Sequence, residues 1–250
     1  VSLKGVPGKM ASSKGNVVAL PDALRVYQPE VLRYIFAVNK VDHEFAISFD
    51  LDVITIYEAY DRTERMAWGV DAAKNEEVLA KEKRVYELSQ IDGVPSVMPY
   101  QVPFRQLTTL LQTYSGDIDA VIAKLGDVKP EQEECLRRRC ECAWYWVKEC
   151  APEDFKFALR EDGSKADLSG DFLNAIKRIR DEVVVKLESY QVDKDLQQAM
   201  YDIAKEIGID PKALFTSMYQ VLIAKDQGPR LASFMKIIGK DKLNKLLENY

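Results

Sequence analysis

Nine consecutive residues near the start of the chain, Gly8-Lys9-Met10-Ala11-Ser12-Ser13-Lys14-Gly15-Asn16, bring together the groups that handle phosphate. Lys9 and Lys14 supply movable ammonium charges and Ser12 and Ser13 supply hydroxyl donors. The flanking glycines allow φ > 0, so uncovered backbone N–H groups can approach an anion closely. Phosphoryl chemistry needs mainly such positioning and charge stabilisation. By composition alone, a bland Gly/Ser/Lys surface turn would carry the same residues.

The elements that must hold this loop follow directly. Pro21 predicts a short helix with Leu24 and Tyr27, and Pro29 a second one with Val31, Leu32, Ile35 and Phe36 on one side. Phe45 to Phe49 alternates weakly and is the one convincing strand signal. Asp50 or Asp52 then starts a helix reaching Trp68. Residues 1–70 therefore read as a small α+β region.

From Asn75 onwards the periods are helical. Val78, Val85 and Leu88 mark one helix; Pro95, Pro99 and Pro103 break the chain before another near Phe104; Asp117 to Leu125 is short and ends at Gly126. Pro130 to Cys150 is long, with Leu136, Cys140, Ala143 and Val147 as its stripe. Asp162-Gly163-Ser164 and Ser169-Gly170 mark a polar turn. Asp193 is expected to cap a helix ending at Gly208, Asp210-Pro211 opens the next, and Gly228-Pro229-Arg230-Leu231 begins one that Gly239 ends. The fold class is thus mainly α, with residues 71–250 a multi-helix bundle or cage.

With 250 residues, 47% hydrophobic and 30% charged, the chain can build a sizeable core, and no apolar run approaches the ~20 residues of a membrane span. No secretory leader is read at Val1-Ser2-Leu3-Lys4, which resembles the middle of a longer protein. The net charge of −5 argues against general nucleic-acid affinity, but residues 1–40 hold six cations against two acids, leaving −9 for the remainder. RNA would have to be recognised locally. Cys135, Cys140, Cys142 and Cys150 have no zinc spacing and read as buried thiols, so neither a disulfide nor a metal site is expected. His43, the only histidine, lies between Asp42 and Glu44 as a solvated loop residue.

Lys9-Met10-Ala11-Ser12-Ser13, followed by Gly15-Asn16-Val17-Val18, Pro21-Asp22-Ala23-Leu24 and Pro29-Glu30-Val31-Leu32-Arg33-Tyr34, resembles the KMSKS signature block of class I aminoacyl-tRNA synthetases. Ile47-Ser48-Phe49-Asp50-Leu51-Asp52-Val53-Ile54, with Tyr57, Tyr60, Asp61 and Arg62, is most similar to the class I lysyl-tRNA synthetases found mainly in archaea. The resemblance implies a C-terminal portion starting at the signature loop: a stem-contact region over 1–70, against the inner face of the acceptor stem, and a helical anticodon-binding domain over 71–250. It implies catalytic roles for Lys9, Ser12 and Ser13, with Met10 and Lys14 joining them at ATP.

ATP with Mg would serve the full-length enzyme, with no cofactor in this portion and no activation of lysine by it alone, since the His-x-Gly-His signature is absent. Two departures stand out: Ser12 occupies the family's second lysine position and Ala11 replaces a common serine. Either Lys14 supplies the missing charge or it comes from elsewhere in the enzyme. The stretch Gly228-Pro229-Arg230-Leu231, preceded by Tyr219 and Lys225, resembles a recurrent piece of glutamyl- and lysyl-type C-terminal domains. Arg230, Tyr219, Lys225 and Arg33 are therefore the expected tRNA contacts. The implied partners are tRNA(Lys), lysine and ATP, in the cytoplasm and away from membranes. A glutamyl or cysteinyl synthetase, or a non-catalytic helical RNA-binding module, are the alternatives.

Overall fold

A computed structural model describes every residue except Val41, Asp162 and Ser169, and the backbone alone of Lys14. The protein is mainly helical, with twelve α-helices and one two-stranded sheet among the described residues. It divides into two compact units, Val1–Lys156 and Phe157–Tyr250. The boundary falls at 156/157, so residues 71–156 pack with residues 1–70 as one body.

Unit 1 begins with β1 (Ser2–Leu3), which pairs in parallel with β2 (Ala46–Ile47) in the register Ser2 to Ala46 and Leu3 to Ile47. Helices α1 (Leu20–Val26) and α2 (Pro29–Val38) each carry proline in their first turn, as expected from its fixed φ and missing N–H. The break between them leaves backbone groups that need partners. Tyr57, fully buried on α3 (Asp52–Ala67), donates its hydroxyl to the Val26 carbonyl at 3.0 Å and accepts from the Gln28 N–H at 3.0 Å. Asp52 opens α3, and Asp50 just before it accepts from the Asp52 N–H at 2.9 Å. Phe36, expected on the apolar side of α2, is instead 49% exposed, with its ring meeting Phe45 edge-on.

Four further helices complete this unit: α4 (Glu76–Ser89), α5 (Phe104–Thr113), α6 (Ile118–Leu125) and α7 (Pro130–Glu149). Leu88, expected to mark the inner face of α4, is exposed, while Val85, Tyr86 and Ser89 are buried. Asp117 caps α6 through the Ala120 N–H at 3.0 Å. On α7, Leu136, Cys140, Ala143 and Val147 form the buried stripe anticipated from their spacing, and Trp146 donates its indole N–H to the Phe49 carbonyl at 2.9 Å. That bond ties the long helix to the chain just after β2.

The four cysteines are free thiols. Burial pushes Cys140 and Cys142 up to about 12 and raises Cys135 and Cys150 as well. Thiolate is the reactive form, so alkylation by iodoacetamide at pH 8 is expected to be slow at all four in the native protein and fast in urea. Rapid native labelling, read by mass spectrometry, would contradict this placement.

Unit 2 holds α8 (Gly170–Arg178), which runs on through a widened π-turn (Ile179–Val183) and a tight 3-10 turn (Val184–Ser189). Then come α9 (Asp193–Ile207), α10 (Pro211–Ile223), α11 (Leu231–Ile238) and α12 (Lys240–Leu247). Leu196, Met200 and Ile203 of α9 meet Leu214, Met218 and Val221 of α10 and Phe234, Met235 and Ile238 of α11 in one core. Asp210 caps α10 through the Lys212 and Ala213 N–H groups at 3.3 and 3.2 Å. Asp193 does not cap α9 as expected: it is the first helical residue, with Val192 at the cap position, and its carboxylate accepts from Ser233 and pairs with Lys236 at 2.8 Å. A carboxylate with two donors on α11 serves packing between helices rather than the helix end. Of the polar turn expected near 160–170, Gly163, Ser164 and Gly170 are described, and Asp162 and Ser169 lie outside the described residues.

Candidate functional site

The glycine-bounded loop is folded back on the edge strand beside it. Met10 donates its N–H to the Val1 carbonyl at 3.1 Å, and Lys9 forms an isolated bridge with Ser2. Ser12–Lys14 make one 3-10 turn closed by the Gly15 N–H on the Ser12 carbonyl at 3.2 Å, with Gly15 at φ 65°, where a side chain would be strained. Asn16 then reaches back across the loop. Its side-chain oxygen accepts from the Ala11 N–H at 2.8 Å and its amide donates to the Lys9 carbonyl at 3.2 Å. Those two bonds bracket Met10 and fix the direction in which Lys9 leaves the backbone.

Ser12 and Ser13 are exposed, and their hydroxyls have no partner among the described residues. Lys9 is 71% exposed and pairs with Glu44 at 2.7 Å. That hydrogen bond raises the Lys9 pKa and lowers that of Glu44, so both are charged at neutral pH. An exposed pair of this kind is weak and exchanges readily. Lys9 can therefore leave Glu44 for a stronger anion. The side chain of Lys14 lies outside the described residues.

Arg33, on the exposed side of α2, gives two of its guanidinium N–H groups to the Leu88 carbonyl at 3.2 and 2.9 Å. It thereby satisfies a carbonyl in the last turn of α4. Beside α2, a cleft of about 350 Å³ is lined by five carboxylates, Glu64 among them, against Arg138 and Arg139. Such a balance repels phosphate. Glu64 is buried and accepts from Gln101 at 2.6 Å and Tyr86 at 3.0 Å, and its burial raises its pKa. Since the folded value lies above the unfolded one, ionised Glu64 weakens unit 1 above that value, and stability rises as pH falls through it towards 4.5. A melting-temperature series against pH should show this rise in the wild type and lose it in Glu64→Gln; parallel profiles would contradict it.

In unit 2 the residues expected to touch RNA form a knuckle before α11. Tyr219 donates its hydroxyl to the Pro229 carbonyl at 2.6 Å, and its ring lies so close to Gly228 that a Cβ there would sit 3.1 Å from it. The same Cβ would be 2.8 Å from Ile223, so only glycine fits without a shift. Tyr219 thus shapes the turn, and the turn presents Arg230, exposed at the N-cap position of α11. Lys225 is half-buried in the same segment.

Residues 1–92, the stretch containing the loop and its supports, match one family model. That family is described as class I tRNA synthetases (K). Similarity to lysine–tRNA ligases extends over the whole chain: 51% identity across 251 residues with that of Treponema pallidum, covering 100% of this chain and 47% of the relative. The Borreliella burgdorferi lysine–tRNA ligase is 41% identical over 252 residues, with 100% and 48% covered, and that of Thermococcus kodakarensis 35% over 254 residues, with 99% and 48%. The chain spans about half the length of these relatives.

The sequence alone did not single out Asn16 or Glu44 for a role at the loop. Asn16 could have been found, since an asparagine just past a glycine can bond its own backbone locally. Glu44 had no such signal: it meets Lys9 only because β2 pairs with β1. Among the described residues no cluster of three or more His, Cys, Asp or Glu could hold a metal, and no helix is long and apolar enough to cross a membrane.

Proposed function

We propose that this chain is the tRNA(Lys)-binding, C-terminal portion of a class I lysine–tRNA ligase, of the type found mainly in archaea. The observation carrying this reading is the similarity to lysine–tRNA ligases across the whole of this chain, at 51% identity, joined to a signature-type loop whose backbone is bracketed by Asn16 and whose Lys9 side chain is exposed. In lysine activation the lysine carboxylate attacks the α-phosphorus of ATP, the bond to the bridging oxygen breaks, and pyrophosphate leaves with its negative charge. Lys9 exchanges Glu44 for the departing phosphates, Ser12 and Ser13 donate to phosphoryl oxygens, and Met10, bracketed by the Asn16 bonds, lies at ATP with them. The family's second loop lysine stands as Ser12, and on this reading Lys14, two positions on in sequence, supplies that charge.

Mg would accompany ATP and neutralise phosphate charge; among the described residues no cluster of three or more His, Cys, Asp or Glu would hold it. Residues 1–70 meet the inner face of the acceptor stem, with Arg33 at its edge. The helical remainder, over 71–250, reads the anticodon, with Arg230, Lys225 and the turn that Tyr219 shapes on the RNA side. The setting is the cytoplasm. The rest of the enzyme supplies the lysine pocket and the first signature, so this portion alone activates no lysine.

Two assays test the reading. The 250-residue chain should retard a tRNA(Lys) transcript on a native gel while showing no ATP–pyrophosphate exchange; absence of retardation would overturn the assignment. In the complete enzyme, Lys14→Ala should slow exchange, and unchanged activity would remove Lys14 from the mechanism.

A further inference from the structure

We propose that the seam between α9 and α10 is a stacking site for one unpaired base of a tRNA loop, with Tyr201 as the platform and Gln197 as the group that reads the base edge. This deepens, and rests on, the tRNA-binding reading above. Tyr201 is 36% exposed, and its ring lies 5.1 Å from that of Phe215, tilted by 53°. Phe215 is half-buried against the core of unit 2, so Tyr201 is braced from behind and its outer surface is free. One turn earlier on α9, Gln197 donates to the Tyr201 hydroxyl at 3.3 Å. Its second amide hydrogen and its carbonyl have no partner among the described residues.

The surroundings favour RNA over an apolar partner. Phe215 and Tyr219 stand one turn apart on α10, and the Tyr219 hydroxyl binds Pro229, so the aromatic row runs towards Arg230. On the α9 side, Asp193, one turn before Gln197, holds Ser233 and Lys236 of α11. Arg230 helps to hold that carboxyl below its usual value, after the Lys236 and Ser233 hydrogen bonds, and so stands at the same end of the seam. Unit 2 is charge-balanced overall, with fifteen residues of each sign, yet residues 225–245 carry six cations against two acids. An aromatic ring, an amide with spare donor and acceptor, and neighbouring guanidinium and ammonium groups match the base plane, base edge and phosphates of a splayed loop nucleotide.

The test is a double-mutant cycle on tRNA(Lys) transcripts, measured by fluorescence anisotropy with the 250-residue chain. One set of transcripts carries a single abasic nucleotide at each position of the anticodon loop in turn. Tyr201→Ala should weaken binding of the intact transcript by about 5- to 150-fold, the range of one lost stacking contact. Tyr201→Phe, which keeps the ring, should bind within about threefold of wild type. One abasic position should weaken the wild type comparably and leave Tyr201→Ala unaffected, because both changes remove the same contact. Binding by Tyr201→Ala equal to wild type would overturn the site while leaving the tRNA-binding reading intact. An additive loss at every abasic position would do the same. Failure of the wild-type chain to bind any tRNA(Lys) transcript would overturn both.

Discussion

Alanine in place of Arg139 is expected to destabilise unit 1 by about 3–5 kcal/mol, the usual cost of leaving one charge of a buried pair alone. Arg139 and Asp61 are both nearly inaccessible, and the guanidinium grips the carboxylate in bidentate fashion at 2.8 and 2.6 Å. Its carbon also lies 4.9 Å from the centre of the Tyr57 ring, and one nitrogen donates to the Val102 carbonyl at 3.3 Å. Removing it strands Asp61 in a region that cannot solvate it, beside the tyrosine that satisfies the backbone between α1 and α2. The effect can be read cleanly, because all three tryptophans, Trp68, Trp144 and Trp146, belong to unit 1 and report its urea transition by fluorescence. Replacing both partners by apolar residues, Arg139→Met with Asp61→Leu, should recover most of the loss, since two desolvated charges are removed together. A shift below about 1 kcal/mol for Arg139→Ala would show that water reaches the pair.

Lys9→Ala, introduced into the complete enzyme proposed above, should slow ATP–pyrophosphate exchange by about 10²–10³-fold, the range for removing one donor aimed at developing charge. Because Lys9 is 71% exposed and its pairing with Glu44 is solvent-screened, the melting temperature should not move. Lys9→Arg should retain part of the rate, as it keeps the charge with altered geometry. Exchange within about threefold of wild type for Lys9→Ala would assign the charge stabilisation to other residues.

The helices were legible where the chain punctuates itself. Pro29, Asp117, Pro130, Asp210 and Pro211 stand at or beside helix starts, and Gly126, Gly208 and Gly239 at helix ends. The stripe Leu136, Cys140, Ala143, Val147 is buried as its spacing implied. Strand β1 was not legible, because two residues have no period and gain strand character only from β2, more than forty positions away. The helical period expected from Asn75 onwards did not show that the helix after α8 widens and then tightens its turn, which it does as it passes the β-branched run Val183-Val184-Val185. Asp193 had the composition of a cap, but the Ser233 and Lys236 side chains of α11 claim its carboxylate.

The loop was the most readable part of the candidate site, since its chemistry is carried by adjacent residues. What holds it was less so. Asn16 acts within seven residues and Glu44 across the β1–β2 pairing, and neither relation shows in hydrophobic periodicity. In unit 2, Tyr219 was read from its type and its neighbours in the sequence, and that its hydroxyl bonds the Pro229 carbonyl and its ring lies against Gly228 depends on how the turn after α10 folds back.

The central claim is that this chain recognises lysine tRNA through its anticodon. Its most direct test is the affinity of the 250-residue chain for tRNA(Lys) transcripts in which the second or third anticodon base, both uridine, is replaced. The account predicts that each replacement weakens binding by about tenfold or more, within the range of one lost base contact. Equal affinity for the native and replaced transcripts would contradict it.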